Sequence, residues 1–350
     1  MAPTRRSRWR DRISTNGSPV DGEGVRLGGM APAASSLPVV RDNPWVGTDG
    51  RALPEARADL RRIPSLRNAW SVAWLYGQTI LILAAATWMD HLIAWMAVFL
   101  LMGRTHAQFA SLMHEAAHRL LFSHKGANDL VGNWVLGYPV MTSTPAYRRV
   151  HMAHHRQEFG PDEPDIPLYA NYPIAPSSLR RKLVRDLTAR TGAKLFVNQM
   201  RGFSSSDARV RRTLLKMVLV QAVVVAAFTL LGAWWMYPVM WVLPHLTLWR
   251  VINRLRSIAE HGGLRADRDR RVATHSVTQH PLARFYFVPY KIGYHLAHHV
   301  DAGVPFRNLP RYHRMLRESG YVDDTSEYPS YRAIWRALAA GPEPATAATA

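Results

Sequence analysis

The sequence predicts an all-α integral membrane protein: a four-helix bundle made of two hairpins, with a helical cap on its cytoplasmic side. Three observations lead there. Four apolar segments come in two pairs, and neither connecting turn, at 89–91 and 236–237, contains lysine or arginine. The first segment is uncharged, and the third carries only Lys216 near its start, over lengths that span a hydrocarbon core. Histidine-rich motifs follow just beyond the charged ends of the segments rather than inside them.

Taken in order, residues 1–60 combine Arg5, Arg6, Arg8, Arg10 and Arg12 with scattered Gly, Ser and Pro. They show no periodicity, so a disordered basic tail is expected, without the apolar run of a secretory signal. Residues 61–325 form the membrane domain, with spans at about 69–89, 92–111, 214–235 and 238–256. The second and fourth segments each meet an arginine, Arg104 or Arg250, at the depth where a long side chain snorkels to the interface. Residues 326–350 read as a C-terminal tail. Lys+Arg number 44 against 25 Asp+Glu, and the excess sits in the tail, in 104–212 and after 250. That distribution places both termini and both long polar regions in the cytoplasm. It assigns the basic charge to the anionic leaflet rather than to nucleic acid, which is not expected as a partner. The Arg180-Arg181-Lys182 cluster, with Leu179, Leu183, Leu187 and Leu195, fits a helix on that leaflet or a dock for an acidic donor protein.

No cysteine is present, which excludes disulfides, Fe–S clusters and thiolate metal sites. The chemistry then falls to the 16 histidines. His114 and His118 stand four apart and share one helical face. His151, His154 and His155 follow at i, i+3 and i+4, and His295, His298 and His299 repeat that pattern. His261 ends the Ala259-Glu260-His261 stretch after the fourth segment, about as far beyond Arg250 as His114 lies beyond Arg104. A lone HxxxH is weak evidence; two HxxHH boxes in one chain are a strong signal. A single ion cannot take nine imidazoles and still admit a substrate, whereas two ions can. Imidazole suits iron, zinc and copper alike. Iron is preferred because a two-metal, all-nitrogen site beside a bilayer suits O2 chemistry on hydrocarbons.

These boxes and paired hairpins resemble the membrane fatty acid desaturase family, over residues 69–325. Asp162-Glu163-Pro164-Asp165 after the second box and Asn308-Leu309-Pro310 with His313 after the third are similar to that family too. The resemblance implies two iron ions (Fe2+/Fe3+) held by His114, His118, His151, His154, His155, His261, His295, His298 and His299. It implies an acyl-lipid substrate, O2 as oxidant and an external electron donor such as ferredoxin with its reductase. Ser257 and Ala297 stand where related enzymes often have Asn and Glu, and no His-Pro-Gly-Gly haem motif occurs. The expected reaction is double-bond formation in a fatty acyl chain, with hydroxylation or ketolation as the alternative from the same ligand set.

Two further readings compete. His114-Glu115-Ala116-Ala117-His118 also matches an intramembrane zinc protease, with Glu115 as general base. A metal transporter is the non-enzymatic reading, although transport sites lie nearer the bilayer midplane. His106, Glu115, Glu260 and Asp301 are candidates to support the ligands, the acids by accepting the second ring N–H of an imidazole. His91, His124, His245, His275 and His280 read as structural.

Overall fold

The computed structural model describes residues 13–14, 25–160, 163, 165–230 and 233–341. It is mostly helical. The short helix α1 (Pro54–Leu60) leads into α2 (Ser65–Met89) and α3 (Leu92–Ala117). The break between these two long helices is chemically simple. Asp90 adopts a left-handed conformation (φ 41, ψ 48), and His91 Nδ1 accepts from Ile93 N at 3.2 Å to cap α3. α4 (Thr144–Arg156) starts at Ser143, whose hydroxyl accepts from Ala146 N. α5 (Pro176–Leu187) and α6 (Arg190–Met200) follow, then α7 (Ala208–Leu230), α8 (Leu248–His261), α9 (His295–Val300), α10 (Leu309–Glu318) and α11 (Tyr331–Leu338). Among the described residues, strand is confined to two parallel pairs, Ile13–Ser14 with Val25–Arg26 and Ser276–Val277 with Glu327–Tyr328.

Among the described residues, three helices are long and apolar enough to cross a membrane: Pro54–Met89, Leu92–Ala117 and Ala208–Leu230. Their outer faces leave Ile80, Leu81, Ile93, Leu219 and Val223 exposed, as lipid contact requires. Trp70 and Trp88 are exposed near the two ends of α2. Their separation, roughly 27 Å at the helical rise, matches paired interfacial belts.

The fourth expected span, 238–256, is not one helix. The chain forms a π-helical turn Tyr237–Val242 and a short helix Leu243–Leu246, then breaks at Thr247 (φ −118, ψ −86) before α8. Pro244 removes a backbone donor in the middle of the segment, and α8 buries Arg254, Arg256 and Glu260. A helix with that burden is built for a polar interior.

Both expected tails need correction where they are described. Residues 25–60 hold to the core by backbone hydrogen bonds, Gly28 N to Leu264 O (3.0 Å), Met30 N to Gly263 O (2.8 Å) and Arg41 N to Ser319 O (2.8 Å). Leu27, Val46 and Leu60 are buried. Residues 1–12 and 15–24 lie outside the described residues, as do 342–350. At the other end, Glu327–Tyr328 pairs with Ser276–Val277, and α11 packs on α8, with Trp335 Nε1 donating to Leu255 O at 2.9 Å. Ile334 and Leu338 are fully buried. These are parts of the folded body. In the 176–212 stretch, Leu179 turns inward while Leu187 and Leu195 face outward.

Candidate metal centre

Four elements end at one place. α3 delivers His114 and, at its C-cap, His118; α4 delivers His151, His154 and His155; α8 ends on His261; α9 carries His295, His298 and His299. The HxxHH spacing puts three imidazoles on one side of each short helix, and the boxes face each other.

The rings fall into two adjoining sets. In the first, the ligand atoms of His114, His118, His151, His155 and His298 all lie within 4.8 Å of one another. Nε2 atoms converge: His151 to His118 at 2.9 Å, His155 to His151 at 3.1 Å and His298 to His155 at 3.0 Å. In the second, His154, His261 and His299 gather with Glu158. His295 Nε2 reaches His261 Nε2 at 3.0 Å and joins them. The rings of His155 and His299, 4.3 Å apart, link the sets.

What lies behind the second set explains its orientation. His261 Nδ1 lies 2.9 Å from the Ala273 carbonyl, which only accepts, so the proton is on Nδ1 and the Nε2 lone pair faces inward. His154 Nδ1 meets Glu163 Oε1 at 2.5 Å. Glu163 is itself held by the Tyr169 hydroxyl and by Phe159 N. His299 Nδ1 faces Glu158 Oε1, and His295 Nδ1 lies 3.5 Å from Glu260 Oε1. Glu158 also accepts from Thr274 Oγ1 (3.2 Å) and pairs with Arg270, so its oxygens are committed to positioning an imidazole. His154 and His261 thus hydrogen-bond an acceptor through Nδ1, while the Nδ1 atoms of His295 and His299 lie beside carboxylate oxygens without making a hydrogen bond. Carboxylate–imidazole pairs of this kind fix tautomer and raise ligand basicity.

The donor set fits a pair of metal ions. Both nitrogens of His114 and of His299 are buried without a hydrogen-bond partner among the described residues. Lone pairs converging at about 3 Å repel unless a cation lies between them. Burial, followed by repulsion from neighbouring imidazoles, holds His151, His155, His295, His298 and His299 well below the ordinary histidine range. They are therefore neutral, the form that ligates. For His154, burial pulls the same way but is overcome by the Glu163 hydrogen bond and by the charges of Glu163, Glu158 and Asp165, which raise it. A metal ion held by His154 would take the place of that proton. Burial likewise lifts Glu260 to about 7, against the pull of Arg256.

The other candidates sit elsewhere. Glu115 Oε1 accepts from Phe306 N at 3.0 Å, tying α3 to the segment after the third box rather than supporting an imidazole. That also takes it from the position a zinc-protease base needs. Asp301 is clamped by Arg57 Nε (2.8 Å) and Arg61 Nη2 (2.5 Å), and accepts from Gly303 N. His106 lies in neither set; its Nδ1 donates to Met102 O at 2.8 Å, and its ring lies beside Trp241 and His245. Glu260 does face an imidazole. Glu158 escaped sequence reasoning although it stands four residues past His154, and Glu163 belonged to a recognised motif whose Asp162 and Pro164 lie outside the described residues.

A cleft of about 870 Å³ opens next to the first set, between α4, α6 and α7. Tyr147 lines it and stacks on His151, with ring centroids 5.1 Å apart and planes 14° from parallel.

Comparison with known proteins agrees with this architecture. The family model for fatty acid desaturases matches residues 90–334, from the α2–α3 turn into α11. The dihydrorhizobitoxine desaturase of Bradyrhizobium elkanii is 25% identical over 262 residues, covering 69% of this chain and 74% of that protein. With the match running through all four ligand-bearing elements, the chain belongs to the fatty acid desaturase family, and hence among the oxidoreductases.

Proposed function

We propose that this chain is a membrane di-iron enzyme that uses O2 to introduce a double bond into a fatty acyl chain. The observation carrying the reading is the division of nine imidazoles into a set of five and, with His295 joined through His261, a set of four, in which Nδ1 of His154 and of His261 is hydrogen-bonded. The first ion would be held by His114, His118, His151, His155 and His298, the second by His154, His261, His295 and His299. Bound iron supplies the redox chemistry that lets O2 remove hydrogen from an unactivated methylene. The balance is plain: the acyl chain gives up two hydrogens, the donor supplies two electrons with two protons, and O2 leaves as two waters.

The protein's own groups set the geometry. Glu163 and the Ala273 carbonyl hold His154 and His261 through Nδ1, leaving Nε2 to ligate, and Glu158 and Glu260 lie beside Nδ1 of His299 and His295. Tyr147 lines the cleft and stacks on His151, so cleft and centre share that ring. The name of the Bradyrhizobium relative, a desaturase, favours desaturation over hydroxylation. Electrons come from a small donor of the ferredoxin kind. In the membrane, the broken segment from Tyr237 into α8 completes a second hairpin with α7, giving a four-helix bundle with the metal centre and both termini in the cytoplasm.

Lipid analysis of a host expressing the protein, beside a His154→Ala control, tests this. The expected result is new unsaturated acyl chains with the native protein only. New hydroxyl-lipids would assign it to hydroxylation, and identical lipid profiles would defeat the proposal.

A further inference from the structure

α8 carries three arginines with little access to water, and only two have a carboxylate. Arg254 pairs with Asp186 on α5, and Arg256 Nε lies 2.8 Å from Glu260 Oε1. Among the described residues no carboxylate oxygen comes within 4.0 Å of Arg250. Its Nε is buried without a partner, and its Nη2 donates to His245 Nε2 at 2.7 Å. That bond puts the His245 proton on Nδ1, and the ring lies 5.2 Å from that of His106 between centroids. His106 in turn donates from Nδ1 to Met102 O, leaving its Nε2 to accept. No hydrogen bond joins the two rings: His245 Nδ1 and His106 Nε2 are both buried without a partner among the described residues. His245 alone holds the Arg250 guanidinium.

Arg250 borders the cleft beside the metal centre, with Tyr147, Asp165 and the buried Met141, Leu214 and Met217; Asp207 also lines it but lies beside Arg209. A largely buried cation with no carboxylate within 4.0 Å among the described residues is costly unless an anion reaches it. We propose that Arg250 is the anion anchor of this cleft, and that the substrate is a single-chain amphiphile with one compact anionic group, a carboxylate or a phosphate monoester. A neutral glycerolipid would leave the guanidinium unmatched. This rests on the reading that the metal centre acts on an acyl chain, with Tyr147 as the wall that cleft and centre share.

The test is binding by the full chain in lipid nanodiscs, using fluorescent parinaric acid and its methyl ester, with decanoate and decyl phosphate as competitors. The native protein is expected to bind the acid at least about tenfold more tightly than the ester, the lower range for a desolvated charge pair. Arg250→Gln should erase that difference and Arg250→Lys keep part of it. Arg209→Gln, on the rim and already beside Asp207 at 3.5 Å, should leave it unchanged. The better competitor identifies the anion. Equal binding of acid and ester by the native protein, or full discrimination retained by Arg250→Gln, overturns the proposal. Should Arg250→Gln fail to fold, the comparison on the native protein still decides. Neither iron nor turnover is read, so acid-selective binding by a chain that oxidises no lipid would count against the functional reading alone.

Discussion

Replacing Glu163 with glutamine keeps shape and removes charge from the acceptor behind His154. The carboxylate takes His154 Nδ1 at 2.5 Å and also accepts from the Tyr169 hydroxyl and Phe159 N, all of it buried. Charge-assisted hydrogen bonds of this kind contribute about 1.5–3 kcal/mol. A glutamine oxygen retains the weaker neutral bond, so a loss of roughly 1.4–2.7 kcal/mol in metal binding is expected, or 10–100-fold in affinity. Asp301→Asn supplies the comparison. Its side chain is 2% exposed, but its partners Arg57 and Arg61 are about two-fifths exposed and not imidazoles. Solvent screening of those arginines limits its cost to about 1–2 kcal/mol of fold stability. Chelator competition in mild detergent reads the metal, and thermal unfolding of the metal-free chains reads the fold. Glu163→Gln should release iron to chelator at least tenfold more readily with little change in unfolding; Asp301→Asn should do the reverse. If Glu163→Gln holds iron as the native chain does, or Asp301→Asn sheds it equally, the assignment of these two acids is wrong.

Two more outcomes follow. His295→Ala should abolish oxidation and lower iron content, whereas Glu115→Gln, which loses only the charge behind the Phe306 N contact, should keep measurable turnover; activity in His295→Ala beside a dead Glu115→Gln would restore the protease reading. Tags at either terminus should be protected from protease in intact cells, because the turns at Asp90 and at Met236–Tyr237 lack lysine and arginine; cleavage from outside would reverse the topology.

The box histidines were legible because helical periodicity puts i, i+3 and i+4 on one face, whatever else the chain does. Their supporting acids were not. Glu163 reaches back under His154 only because the chain reverses after α4, with Gln157 leaving the helix (φ −138) and Phe159 in a left-handed conformation (φ 57). No periodic pattern encodes that reversal. Asp301 and Glu115 misled for the same reason: adjacency in sequence to a ligand says nothing about which way a side chain leaves the helix. Residues 25–60 read as a tail because irregular backbone, held by bonds such as Gly28 N to Leu264 O, has no repeating apolar signature. The fourth segment looked continuous by apolarity, yet Pro244 and Thr247 divide it, and α8 buries Arg254, Arg256 and Glu260.

Metal content of the purified chain tests the central claim most directly. Nine converging imidazoles in two sets predict about two iron ions per chain after aerobic purification in mild detergent, falling when either set is broken by His118→Ala or His261→Ala. An active preparation with stoichiometric zinc and no iron would contradict the account.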